Sequence, residues 1–104
     1  MIIQINTDKT LNGDHQMQEY FTFQIEEALQ RYSSHISRIE VHMKDENGKK
    51  EGIDDMSCRL EARINGRQPI AISNQADSME LALLGAIVKI KTALKTTLGR
   101  IQHH

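Results

Sequence analysis

The spacing of apolar residues changes along this chain, and those changes constrain the fold more than any other feature. Between residues 17 and 36, apolar side chains recur at steps of three and four, which is the period of an amphipathic helix. Residues 37–44 and 57–64 alternate apolar and polar side chains, which is the period of a half-buried strand. A second helical stripe follows residue 78. This sequence of periods predicts an α+β domain.

The predicted order of elements is β-α-β-β-β-α. In chain order they are a strand at 2–6, a helix from 12–14 to 33–34, strands at 37–44, 57–65 and 66–73, and a helix from 77–78 to 98 that stops at Gly99. Asn47-Gly48 and Asn65-Gly66 favour turns, and Pro69 belongs at a strand start or on an edge. We expect a four-stranded sheet, antiparallel or mixed, with both helices packed on one face and the other face open to water.

Each predicted helix has a stripe that should face the core. The first comprises Met17, Phe21, Ile25, Ala28, Leu29, Tyr32 and Ile36, and the second comprises Leu83, Ala86, Ile87, Ile90, Leu94 and Leu98. The last helix also carries Leu81, Leu84 and Val88 on its other side, beyond what one packed face needs. The first helix either covers this apolar strip, or the strip is exposed to a partner.

A chain of 104 residues with one cysteine and one proline suggests a single domain, 1–104, whose core needs no disulfide or structural metal. The sequence has no apolar run of membrane-spanning length, and its N-terminus does not resemble a secretory signal. We therefore expect a cytoplasmic protein with no membrane partner. Cys58 alternates with apolar residues, which predicts a buried and inert thiol.

The usual signatures of catalysis and of metal binding are not found in the sequence. The acidic segment DENGKKEGIDD has glycine at its fourth position, whereas a helix-loop-helix calcium loop requires it at the sixth. Glu26 and Glu27 are adjacent, so they point in different directions from a helix and form no carboxylate pair. The predicted open sheet face has no aromatic pair on which RNA bases would stack. We therefore expect no enzyme, no cofactor and no metal site.

Charge is distributed unevenly along the chain. Residues 1–58 carry 11 acids and 6 bases, whereas residues 59–104 carry 3 acids and 7 bases. From Leu81 onward there is no acid, and the basic residues there are Lys89, Lys91, Lys95 and Arg100. Such a cluster can attract phosphate even when the net charge is near zero, because the potential depends on where the charges lie. Alternatively, these bases only solvate the outer face of a helix.

The element order and three segments resemble the short ribosome hibernation-promoting factor and ribosome-associated inhibitor family. The segments are SRIEVHM after the first helix, RLEARI, and ADSMELALLGAIVKIKTALK at the end. The resemblance extends from Ile3 to about Arg100, although Val88 stands where the family has an acid before its Lys-Leu step. Longer members continue into a dimerisation domain, so the chain resembles the short type.

The resemblance implies a stress-response factor that binds the mRNA-tRNA cleft of the small ribosomal subunit and regulates translation during hibernation. Its RNA-binding residues would contact the phosphate backbone of ribosomal RNA. Lys89 and Lys95 match basic positions of the family's last helix, and Arg31 and Arg38 match bases near the end of the first helix. Lys91 and Arg100 are added because they lie close to these positions.

A second interpretation comes from the residues alone. A small protein-interaction module would use the Leu81, Leu84 and Val88 strip and would not bind RNA. Weak self-association through this strip is also consistent with the sequence. A strong dependence of binding on salt would favour the RNA interpretation, because counterion release accompanies phosphate contacts.

Overall fold

The computed structural model describes residues 1–7, 15–45 and 56–102, with side chains up to residue 99. These ranges form β1 (Ile2–Thr7), α1 (His15–Leu29), a 3-10 helix (Gln30–His35), β2 (Ile36–Asp45), β3 (Met56–Ile64), β4 (Ile70–Ala76) and α2 (Met79–Gln102). The predicted β-α-β-β-β-α order is confirmed. The predicted first-helix start at 12–14 and the turn at Asn47-Gly48 lie outside the described residues.

The four strands form one mixed sheet in the order β1-β2-β3-β4. β1 runs parallel to β2, and the other neighbouring pairs are antiparallel. Ile3 and Ile39 are partners across the parallel pair, and Leu60 of β3 is the partner of both Val41 and Ile72. The alternation that predicted these strands therefore places their apolar side chains in rows on one face of the sheet.

Both helices pack on that face, as predicted. Phe21, Ile25 and Leu29 of α1 are buried in one cluster with the inward side chains of β2 and β3. α2 contributes the predicted stripe to the same cluster, together with Ala82. The fully buried residues that are described are hydrophobic, so side-chain packing fills the interior between sheet and helices. No helix in the described ranges is long and apolar enough to cross a membrane.

The first helix ends earlier than its stripe predicts. α1 stops at Leu29, and the 3-10 helix continues to His35, so Ile36 begins β2 instead of extending the helix. Ser33 and Ser34 favour this change, because serine hydroxyls compete for backbone hydrogen bonds and weaken an α-helix. The prediction for Ile36 was right about burial and wrong about the element, since Ile36 pairs with Ile64 of β3.

The boundaries of the last helix also differ in part from the prediction. The backbone N–H of Leu81 donates a hydrogen bond of 3.1 Å to Ser78 Oγ, so Ser78 caps α2. Gly99 does not end the helix, because it takes no left-handed φ and α2 continues to Gln102. In contrast, Gly66 has a φ of +73° in the predicted turn between β3 and β4, and Pro69 immediately precedes β4.

Candidate nucleic-acid interface

The two helices lie side by side and run in the same direction. Tyr20, near the start of α1, donates a hydrogen bond of 2.8 Å to the carboxylate of Glu80, which is in the first turn of α2. Further along, a groove of about 690 Å³ opens between α1 and the 3-10 helix on one side and α2 on the other. We call this the interhelical groove; its lining residues are Glu27, Ala28, Gln30, Arg31, Tyr32, Val88, Lys91, Thr92 and Lys95.

Three of the sequence-predicted bases meet in the interhelical groove. Lys91 and Lys95 are one helical turn apart on α2, and Arg31 faces them from the 3-10 helix. All three side chains are exposed, and within the described residues none is in an ion pair. Their hydrogen-bond donors are therefore available to an anion without the loss of an internal salt bridge.

The aromatic ring of Tyr32 lies beneath the guanidinium of Arg31 and positions it. The guanidinium carbon lies 5.6 Å from the ring centroid of Tyr32, which is a cation–π distance. Tyr32 is buried, so the ring is a fixed platform. The face of the Tyr32 ring attracts the positive charge of Arg31 but does not accept hydrogen bonds from its N–H groups. Those N–H groups remain free to donate to phosphate oxygens.

Lys89 lies on a different flank of α2. Its Nζ donates a hydrogen bond of 2.7 Å to the backbone carbonyl of Ser73 in β4. Residues two apart on a helix do not share a face, so Lys89 and Lys91 point to opposite flanks. A phosphate in the interhelical groove is therefore out of reach of Lys89, which instead satisfies a carbonyl at the edge of the sheet.

Arg38 does not lie at the end of the first helix but in β2, with its side chain on the open face of the sheet. Its Nε is 3.2 Å from Glu40 Oε2, and its Nη2 donates to Gln4 Oε1. The sheet thus separates Arg38 from the interhelical groove. Arg100 belongs to the last turn of α2, but its side chain lies outside the described residues.

The open face of the sheet is polar, as predicted, and its charges are largely paired. Glu40 lies 3.6 Å from Arg63 and 3.7 Å from His42, in addition to its contact with Arg38. Arg63 is also 3.7 Å from Glu61. Such exposed pairs contribute little to stability, but they reduce the positive potential of this face relative to the interhelical groove.

Cys58 is fully buried, and burial raises the pKa of its thiol to about 12. The thiol is therefore protonated at neutral pH and unreactive, as the sequence predicted. In the described parts of the chain, no group of three or more His, Cys, Asp or Glu residues is placed to hold a metal ion.

Sequence reasoning missed the acidic and uncharged lining of the interhelical groove, namely Glu27, Gln30 and Thr92. Helical spacing predicts that Thr92 shares a face of α2 with Val88 and Lys95, because these residues follow one another at four- and three-residue steps. Thr92 Oγ1 donates a hydrogen bond of 3.1 Å to the Val88 carbonyl, so it lies against the helix backbone. Glu27 and Gln30 depend on how α1 is placed beside α2, which the spacing of residues does not specify.

No protein-family model matches the chain, and no curated protein matches it. The N-terminal domain of Protein Y from Thermus thermophilus aligns with a TM-score of 0.74 and 13% identity, over 93% of this chain and 99% of that one. A ribosomal subunit interface protein from Coxiella burnetii aligns with a TM-score of 0.70 and 18% identity, over 95% of this chain and 99% of that one.

Both alignments span nearly the whole of each chain, so the similarity includes the sheet and both helices. At 13% and 18% identity, what is shared is the arrangement of the backbone. The two structures support, at the level of the fold, the resemblance to the ribosome hibernation factor family. The chain therefore has the fold of the Protein Y N-terminal domain and of this ribosomal subunit interface protein.

Proposed function

We propose that this protein is a cytoplasmic, ribosome-associated hibernation factor of one domain, 1–104, which inhibits translation under stress. It occupies the mRNA-tRNA cleft of the small ribosomal subunit and binds the phosphate backbone of ribosomal RNA. The observation that carries the proposal is the convergence of Arg31, Lys91 and Lys95 in one groove, where none of them forms an ion pair with another described residue. The name of one of the two similar structures, a ribosomal subunit interface protein, supports the choice of the ribosome as partner.

The interhelical groove suits a phosphate backbone for physical reasons. Lysines on a rigid helix neutralise phosphates and release the counterions that had condensed on the RNA, which gives affinity without reading the base sequence. Arg31 adds a planar fork of donors that matches two oxygens of one phosphate. The protein thus acts by binding and not by catalysis.

The six candidate bases divide into two groups in this proposal. Arg31, Lys91 and Lys95 form the primary contact. Lys89 contributes only after exchanging its 2.7 Å hydrogen bond to Ser73 for one to RNA, and Arg38 only if RNA also reaches the other side of the sheet. Arg100 extends the basic stretch of α2 by one turn beyond Lys95.

The salt dependence of binding distinguishes the two groups. Three phosphate contacts predict a slope of log affinity against log salt of about −2 to −3, and six contacts predict about −4 to −5. The measurement is co-sedimentation of the protein with purified small subunits over a range of salt concentrations. An interaction module that does not bind RNA would show almost no slope.

A charge reversal tests which surface binds. The Lys91→Glu, Lys95→Glu double variant should no longer co-sediment with small subunits and should no longer inhibit translation in vitro. Both residues are exposed, so circular dichroism should show an unchanged fold. The matched control is Arg59→Glu with Arg63→Glu, which makes the same charge change at exposed residues of β3 on the open sheet face and should leave binding intact. If only the control abolishes binding, the sheet side is the interface and the proposal is wrong.

A further inference from the structure

The outer surface of the helix layer, which faces away from the sheet, carries most of the exposed large apolar side chains of the described residues. Tyr20 and Phe23 of α1 are 45% and 56% exposed. Leu81, Leu84 and Val88 of α2 are 53%, 38% and 65% exposed. Single apolar residues on a surface are ordinary, but a group of five on one side is typical of an interaction surface. The alternative that α1 covers the strip is thereby excluded.

Unpaired charges of opposite sign accompany these apolar residues. On α1, Glu26 and Glu27 are exposed and are in no ion pair within the described residues. On α2, Lys91 and Lys95 are also exposed, and neither is paired with an acid in the described part of the chain. Glu27 lines the same groove as both lysines, yet it lies beyond 4.0 Å of either. Thus α1 presents acids and α2 presents bases, and no ion pair among the described residues neutralises either group.

The direction of the helices makes these features complementary under a twofold rotation. A twofold axis along the interhelical groove, parallel to the two helices, places α1 of one copy over α2 of the other in the same direction. The Tyr20–Glu80 contact places the second turn of α1 beside the first turn of α2. Phe23 then meets the leucines near the start of the partner's α2, and Glu27 meets the lysines further along.

We propose that this outer helix surface binds a second copy of the chain, forming an isologous dimer. The occupant is a second copy because one surface supplies both the apolar patch and the two complementary charge groups, as a self-complementary interface requires. The dimer covers Arg31, Lys91 and Lys95. Dimerisation and binding to RNA therefore exclude each other, a consequence that rests on the proposed function.

Loss of the apolar contacts is the first test. Sedimentation equilibrium of the wild-type protein should show a monomer–dimer equilibrium, and Phe23→Ser with Leu81→Ser should raise the dimer dissociation constant at least about tenfold. The effect is large because each substitution occurs twice in the interface. The matched control is Ile2→Ser, which removes a side chain 62% exposed on β1 and should not change the dimer. A wild-type protein that stays monomeric up to millimolar concentration, or an equal effect of the control, would overturn the proposal.

Exchange of charges is the second test, because it separates contact from general destabilisation. Glu27→Lys alone and Lys91→Glu alone should each weaken the dimer. The double variant restores opposite charges across the interface, so its dissociation constant should return to within about twofold of the wild-type value. Circular dichroism of each variant verifies the fold. A double variant that is no tighter than either single variant would refute the pairing.

Competition tests the consequence for function. Small subunits that bind the wild-type protein should dissociate the dimer, so only monomer should be found on them. The Phe23→Ser, Leu81→Ser variant should bind small subunits at least as tightly, since it has no dimer to dissociate. If two copies of the protein bound each small subunit as a dimer, the proposal that the dimer covers the interhelical groove would be wrong. If small subunits bind neither the wild-type protein nor the variant, the proposed function is wrong. The two tests of dimerisation do not involve the ribosome, so they still decide whether the dimer forms.

Discussion

The contact between α2 and β4 depends on the absence of a side chain at residue 85. A methyl group on Gly85 would lie only 2.7 Å from Asn74 Cγ and 3.1 Å from Asn74 Oδ1. The Asn74 side chain is held there because its Nδ2 donates a hydrogen bond of 3.1 Å to the backbone carbonyl of Ala82. The Gly85→Ala variant must therefore displace the amide and break this bond.

The expected change in stability is the balance of three effects. Alanine favours the interior of a helix over glycine by about 1 kcal/mol. The lost hydrogen bond costs about 1 kcal/mol, and forcing a methyl group into a filled site costs about 1–3 kcal/mol. The sum predicts that Gly85→Ala destabilises the protein by about 2 kcal/mol. For a domain of this size, that lowers the melting temperature by roughly 10 °C.

Urea unfolding of a small set of variants checks the argument. Gly99→Ala is the control, because a methyl group there meets no atom within 4 Å and should stabilise α2 by about 0.5 kcal/mol. In an Asn74→Ala background the obstruction is gone, so Gly85→Ala should become stabilising. If Gly85→Ala stabilises the protein while Asn74 is present, the reasoning about this contact is refuted.

Three further predictions concern single side chains. Cys58→Ala should cost about 1 kcal/mol in thermal unfolding through a small cavity, and rapid labelling of the native thiol would contradict its burial. Leu84→Glu should change the free energy of unfolding in urea by less than about 1 kcal/mol, because this side chain is already exposed; a loss of several kcal/mol would place it under α1. The hydrogen bond to Glu80, followed by its negative charge, raises the pKa of Tyr20 above 10.0, so ultraviolet titration should give a lower pKa in Glu80→Gln. The stability from this contact is present below pH 10 and lost as the pH rises through the raised pKa, and a Tyr20 that titrates identically in both proteins would exclude the contact.

Periodicity predicted the elements of this fold well because most helices and strands have one buried face and one exposed face. It failed where local and tertiary effects compete. Ile36 continues the spacing of the first helix, but pairing with Ile64 takes it into β2. Gly99 is typical of a helix end, yet the helix continues through it.

The candidate site was predicted less completely than the fold. Spacing alone indicates that Lys91 and Lys95 share a face and that Lys89 does not. It does not indicate that Arg31 lies across a groove from them, because that depends on how the first helix and the 3-10 helix are placed beside α2. Arg38 was expected near the first helix, and β2 carries it to the other side of the sheet.

The parallel pairing of β1 also predicts an order in which the strands assemble. β1 stands at one edge of the sheet and pairs with β2 alone, whereas β3 has a neighbour on each side. During synthesis β1 leaves the ribosome first, but its partner strand follows only after the crossover through α1. The antiparallel strands β2, β3 and β4 join without such a crossover, so we expect them to pair first and β1 to add to them last. In native-state hydrogen exchange, we expect amides of β1 to exchange through local opening and those of β3 to exchange only when the whole domain unfolds.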